Sequence, residues 1–187
     1  MTAGDPGAFV ALLSTPLIAA PMAGGVTTVD LALATTRGQA FSFLAGGYKT
    51  PEAMAAEIAA FRRTTPAPFG VNLLLPNPAL VPAADLDKYR RLIQPEADRL
   101  GVTLGTTVRT DDWYAEKLEV LLADPVPAVS FTFGLPSPEV VTALHKAGTV
   151  VIGTVTNPAE AVEAYETDID VLCAVDGPTA DDSYGRS

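Results

Sequence analysis

Six short apolar runs, each nearly unbroken, recur along the chain and limit its fold more than any other feature. They read as strands over Leu17–Met22, Phe41–Ala45, Phe69–Leu75, Ala128–Phe133, Thr149–Val155 and Val171–Val175. A strand with one wet face alternates polar and apolar residues; a strand covered on both faces does not. These runs therefore belong in a parallel sheet with helices packed against it. The segments between them open with a repeated punctuation: Thr50-Pro51-Glu52, Ser137-Pro138-Glu139 and Asn157-Pro158-Ala159-Glu160. Each supplies a capping side chain, a proline at the first helical position and an acid in the first turn, which together start a helix. Met54, Ile58 and Phe61 give the first helix a core face; Val140, Val141 and Leu144 do the same for the second, which stops at Gly148.

The gap between Phe69 and Ala128 is longer than the others and must hold extra structure. Asp85–Leu100 reads as a helix with Leu86, Tyr89 and Ile93 on one side, and Asp111–Ala123 as another with Trp113, Leu118 and Leu122 apolar. Val102–Val108, between them, is read as a further strand, which makes the strand spacing more even. Strands alternating with helices throughout specify an α/β protein with a parallel sheet. A dinucleotide-binding sheet needs G-x-G-x-x-G after its first strand, and Gly24-Gly25 does not supply it. Unit lengths fit a closed barrel better, yet a complete barrel runs to about 250 residues. The expected fold is thus a (β/α)8 TIM-barrel type, incomplete, with about seven of eight strands present. Residues 1–178 are read as that single domain, and 179–187, apolar only at Ala180 and Tyr184, as a disordered tail.

Composition excludes several partners. A net charge of −10, from 22 acidic and 12 basic residues, argues against nucleic acid and anionic membrane surfaces. No run is long and apolar enough to span a membrane, and the N-terminus lacks the basic residues of a signal peptide, so a cytoplasmic location is expected. Cys173, the single cysteine, excludes an intramolecular disulfide; within Val171–Val175 it is expected to be buried and inert. No metal site is expected.

The stretch Leu17–Gly25 combines a strand, a glycine turn and, at Thr27 and Thr28, the cap of a helix carrying Val29, Leu31 and Leu33. That geometry brings a ligand close to backbone N–H groups and on its own reads as a phosphate cradle. Asn72, an amide inside an apolar strand, must find hydrogen-bond partners; a neighbouring loop and a ligand edge both qualify. Thr132 and Thr154 fall near the C-terminal ends of strands, where barrel sites lie, but the expected role of each is a packed hydroxyl bonded to backbone.

Four segments in this order resemble the nitronate monooxygenase family: Ala20-Pro21-Met22-Ala23-Gly24-Gly25, Pro68–Leu73, Val129–Gly134 and Val151–Val155. The resemblance runs from about Thr15 to Gly177. It implies a (β/α)8 barrel, non-covalent FMN, and oxidation of alkyl nitronates by O2 to a carbonyl compound and nitrite. It implies, further, that Ala20, Pro21, Met22 and Ala23 form the loop whose backbone meets the flavin ring, and that Asn72 contacts the flavin. The substrate class implied is a small nitronate or nitroalkane.

Late in the chain the pattern departs from that family. Where the family has Gln-Gly-x-Glu-Ala-Gly-Gly-His, this chain has Asp176-Gly177-Pro178-Thr179-Ala180-Asp181-Asp182-Ser183. Ser183 stands at the position of the family's catalytic histidine, and a serine accepts no proton near neutral pH without a base of its own. Asp181 and Asp182 replace glycines that lie near the cofactor phosphate, which carboxylates repel. His145, the only histidine, sits near the end of a helix, where a cation is an ordinary stabilising choice. The chain reads as truncated at its C-terminus, with the catalytic residue unassigned. The alternative to an active flavoenzyme is a catalytically inactive remnant lacking the base and phosphate loops. A third, weaker reading is a flavin barrel of the enoyl reductase or dihydroorotate type. Uncovered barrel edges would favour self-association.

Overall fold

The computed structural model describes residues 6–76, 81–106 and 111–175. Secondary structure begins with α1 (Pro6–Val10), β1 (Ile18–Ala19), α2 (Val29–Arg37), β2 (Phe41–Ala45), α3 (Pro51–Thr64) and β3 (Phe69–Leu74). It continues with α4 (Ala83–Leu100), α5 (Tyr114–Ala123), β4 (Ala128–Thr132), α6 (Pro138–Lys146), β5 (Val150–Val155), α7 (Pro158–Glu166) and β6 (Val171–Ala174). Residues of Met1–Pro76 and Asp112–Ser187 form one compact unit, and those of Asn77–Asp111 a second.

In the first unit all six strands lie in one parallel sheet, in the order β1-β2-β3-β4-β5-β6. Sequential order with every pair parallel is the winding of a (β/α)8 barrel, here an incomplete one. The strand expected at Val102–Val108 is absent from the part of that span which is described. Residues 102–106 carry no strand, β3 pairs directly with β4, and Val108 lies outside the described residues. The reason is burial: Val102, Thr103, Gly105 and Thr106 are exposed, so this β-branched run never meets the two covered faces that its pattern resembles. The described sheet therefore has six strands rather than seven.

Helix starts follow the punctuation. Thr50 Oγ1 accepts the Ala53 N–H at 3.3 Å, and Asn157 Oδ1 accepts the Glu160 N–H at 3.0 Å. First-turn acids benefit as expected. Glu52 is held below the usual carboxylate range by its own backbone N–H and the Thr50 hydroxyl, and Glu139 by the Ser137 hydroxyl and its own N–H. In α5 the helical phase differs from the sequence reading. Asp112 and Trp113 adopt left-handed backbone (φ 59° and 51°), the helix begins at Tyr114, and Lys117 and Leu121 are its buried residues.

Alternate residues of each strand face opposite sides. Leu44, Val71, Leu73, Val129, Phe131 and Val151 point to the helices, where Met54, Ile58, Phe61, Leu121, Val141 and Leu144 cover them. On the other face Phe41, Phe43, Ala128, Val150 and Ile152 pack with Ala8 and Phe9 of α1. Phe9, Phe41 and Phe43 form an edge-to-face ladder with centroids 5.4 and 5.3 Å apart. Gly70 makes room for it: a Cβ there would lie 2.2 Å from a ring carbon of Phe43.

In the second unit α4 ends at Gly101, whose left-handed backbone (φ 66°) caps the helix. Leu86 and Ile93 are half-buried, while Tyr89, read from sequence as part of the same side, is exposed. Among the described residues no helix is long and apolar enough to cross a membrane.

Candidate functional site

The face of the sheet opposite the helices changes character along its length. At the N-terminal ends of the strands it is aromatic and aliphatic, closed below by α1. Toward the C-terminal ends, the same alternation brings up Asn72 on β3, Ser130 and Thr132 on β4, and Thr154 on β5. There a cavity of about 830 Å³ opens, lined by those four polar side chains and by Phe43, Phe133, Leu135 and Ile152. Its size falls within the range of roughly 300–1,000 Å³ common to small-molecule and cofactor sites.

Asn72 is buried, at 6% exposure, and its amide orientation is fixed. Nδ2 donates to Ser130 Oγ at 3.0 Å, Thr132 Oγ1 at 3.0 Å and the Ser130 carbonyl at 3.3 Å. A carbonyl accepts only, so the nitrogen must face β4 and Oδ1 is the group left to accept. Because Ser130 and Thr132 both accept from Asn72, their hydroxyl hydrogens are directed elsewhere. The site thus presents an acceptor and two donors within a mostly apolar wall. The register that pairs Asn72 with Ser130 builds this arrangement. Of the three residues that sequence reading left open, Asn72 and Thr132 belong to one cluster, whereas Thr154 lines the cavity apart from it; Ser130 was missed, although its position two before Thr132 puts it on the same face.

Of the loop after β1, Ala20 and Pro21 line the cavity, whereas Met22 and Ala23 are not among its lining residues. Met22 has both backbone groups engaged: its N–H donates to Thr27 Oγ1 at 2.8 Å and its carbonyl accepts from Thr27 N at 3.1 Å. Gly24 and Gly25, at φ 76° and 91°, supply the positive φ that this closed turn requires. Thr28 Oγ1 then caps α2 through the Leu31 N–H at 3.1 Å.

Phe133, at the end of β4, holds a left-handed backbone (φ 70°) and is half-exposed at the cavity wall. A bulky residue rarely adopts that conformation, and such strain concentrates at functional sites. Glu160 and Glu163 of α7 also line the cavity. Cys173 lines it as well and is exposed, which corrects the expected burial. Among the described strands β6 pairs with β5 alone, so its apolar run is half covered.

His145 lies away from the cavity. Its Nε2 sits 2.9 Å from Asp170 Oδ2, which also accepts the Val151 N–H at 2.7 Å, so the histidine ties the end of α6 to the segment entering β6. Asp176, Asp181, Asp182, Ser183 and the 179–187 tail lie outside the described residues. Among those described, no group of three His, Cys, Asp or Glu is placed to hold a metal ion.

Residues 8–183 match a family model described as nitronate monooxygenase. The chain is 35% identical over 160 residues to a probable nitronate monooxygenase of Bacillus subtilis (strain 168), an alignment covering 86% of this chain and 46% of that protein. It is 31% identical over 165 residues to a nitronate monooxygenase of Paraburkholderia phytofirmans, covering 85% and 44%. A solved structure of nitroalkane oxidase from Streptomyces ansochromogenes superposes with a TM-score of 0.83 at 41% identity, over 89% of this chain and 48% of that one. FabK from Thermotoga maritima, with a TM-score of 0.62 at 22% identity over 87% of this chain and 40% of that one, shares the fold alone. The chain spans a little under half the length of the curated relatives it matches.

Proposed function

This chain belongs to the nitronate monooxygenase family, and from that premise we propose that its cavity seats the isoalloxazine ring of FMN for oxidation of alkyl nitronates by O2 to a carbonyl compound and nitrite. The family is one of flavin-dependent oxidoreductases. The observation that carries the reading is the Asn72–Ser130–Thr132 cluster. A flavin's pyrimidine edge offers an N–H and carbonyl oxygens, which an acceptor and two hydroxyl donors complement. The ring end of FMN therefore fits the residues present. For the phosphate end, the described residues lining the cavity include no Lys, Arg or His, and Asp181 and Asp182, which the resemblance sets near the phosphate, lie outside the described residues.

When bound, the flavin supplies the electron transfer between nitronate and O2. The chain's own residues bind, orient and shield. Asn72 Oδ1, with the Ser130 and Thr132 hydroxyls, fixes the polar edge of the ring; Ala20 and Pro21 close one side. Phe43, Phe133, Leu135 and Ile152 keep water from the apolar part. A nitronate is already deprotonated at carbon, so its oxidation needs no base to start. A neutral nitroalkane does need one, and Ser183 stands where the family's base would be. The expected substrate is accordingly the nitronate.

Purified protein that carries visible flavin absorbance and consumes O2 with propyl-2-nitronate supports this reading; colourless protein that takes up no FMN refutes it. Asn72→Ala is expected to weaken flavin binding about tenfold, the worth of one hydrogen bond in a buried site. Circular dichroism on the variant separates that loss from unfolding.

A second reading, a family member that keeps the fold without the activity, draws on the sheet edges. Leu17, just before β1, and Ile18, on it, are 64% and 46% exposed, and Leu172 on β6 is 42% exposed. Edges with apolar side chains associate. Sedimentation is expected to show association that increases with protein concentration, and Leu172→Lys to reduce it. A concentration-independent monomer would remove the edges from consideration.

A further inference from the structure

We propose that Phe133 decides which nitronates this chain accepts: its ring stands at the mouth of the cavity and limits the bulk carried on the nitro-bearing carbon. The proposal rests on the flavin reading above.

Strand alternation alone would put Phe133 on the other face of the sheet. Thr132 faces the cavity and Phe131 packs toward the helices, so extended backbone would send Phe133 the way of Phe131. The pairing of β3 with β4 still holds at this point, since the Leu75 N–H donates to the Thr132 carbonyl at 2.9 Å. There the direction changes. Phe133 takes φ 70° and Gly134 φ 140°, and the Phe133 side chain lines the cavity instead. Glycine adopts such angles freely, whereas a phenylalanine is strained by them. Burial does not compensate: Phe133 is 51% exposed, while Phe131 and Phe43 are 0% and 5% exposed. An aromatic side chain both strained and half-exposed is held where a ligand meets it, not where the core needs it.

Its level along the strand identifies that ligand. On the flavin reading Asn72, Ser130 and Thr132 hold the polar edge of the ring, and Phe133 lies one residue beyond them toward the C-terminal end. That is the end where barrel sites open, and α1 closes the other. A substrate approaching the seated flavin therefore passes the Phe133 ring. A phenyl group offers no hydrogen-bonding atom, so it discriminates by size.

The test compares the parent with Phe133→Ala, both as full chains loaded with FMN. The ratio of kcat/KM for cyclohexyl nitronate to that for ethylnitronate is expected to rise about tenfold in the variant, the scale set by small changes in an apolar pocket. The flavin absorbance change on adding nitrocyclohexane or nitroethane gives the same comparison without turnover, with affinity gained for nitrocyclohexane alone. FMN affinity is expected to stay unchanged, because the anchoring cluster is intact. Phe133→Gly, which removes the strain together with the ring, is expected to match or exceed the urea midpoint of the parent. An unchanged preference in both comparisons, or a Phe133→Ala variant that loses FMN affinity about tenfold, would overturn the proposal and leave the flavin reading standing. A Phe133→Gly midpoint far below that of the parent would overturn it too, by showing that the ring holds the fold. A parent that takes up no FMN would overturn both.

Discussion

Replacing Lys117 with methionine is expected to destabilise the protein by about 3–5 kcal/mol, the cost of removing one partner from a buried charge pair. Lys117 has a side chain only 1% exposed, and its Nζ lies 2.7 Å from Asp112 Oδ2, a side chain 12% exposed. The nitrogen is off the hydrogen-bond direction, so the contact is chiefly one of charge. The ring of Trp113 adds a cation–π contact at 5.9 Å. Asp112 also accepts the Tyr48 N–H through Oδ1 at 2.8 Å, so one carboxylate joins the start of α5 to the loop after β2. The size of the effect comes from the partner left behind. The double variant Lys117→Met, Asp112→Asn is therefore expected to recover most of the loss, because asparagine keeps an acceptor for Tyr48, tolerates left-handed backbone and carries no charge. Urea unfolding of the two variants decides it: equal losses in both would show that packing, not charge, sets the cost.

Gly70→Ala is expected to cost about 1–3 kcal/mol by overpacking. The added methyl would stand 2.2 to 2.8 Å from three carbons of the Phe43 ring, which the Phe9–Phe41–Phe43 ladder holds in place. A flexible side chain would swing aside; a buried aromatic ring packed edge-to-face on Phe41 has little room to do so. Adding Phe43→Leu to Gly70→Ala should restore part of the stability, and the restored part measures the clash itself. If the single variant unfolds at the same urea concentration as the parent, the sheet can absorb the methyl and the ladder is looser than drawn.

Legibility of this fold in the sequence follows the number of covered faces. Runs such as Phe69–Leu74 and Ala128–Thr132 are covered on both sides, show it as unbroken apolar sequence, and were readable. Residues 102–106 imitate that signal because valine and threonine favour extended backbone whether or not anything covers them. Cys173 fails in the opposite sense: its run looks like a core strand, but β6 has a neighbour on one side only among the described residues. Burial of Lys117 was invisible because a lysine in an amphipathic helix reads as solvent-facing, and its partner Asp112 becomes evident only in the folded chain. The site was partly legible. Asn72 announced itself as a polar residue in an apolar strand, whereas Ser130 and Phe133 take their meaning from a pairing register and a backbone turn.

The two ends of the sheet are unlike. β1 presents two residues and β6 four, and their side chains differ. Contact between copies through these ends joins one surface to a different one, without the two-fold self-match that lets a dimer close. Such a contact leaves a free end of each kind after every addition. If copies join by this route, assembly stops only where the curvature of the sheet closes a ring; without closure, the expected signature in light scattering is a mean size that keeps climbing with concentration, and with closure a plateau at a fixed multiple of the chain mass.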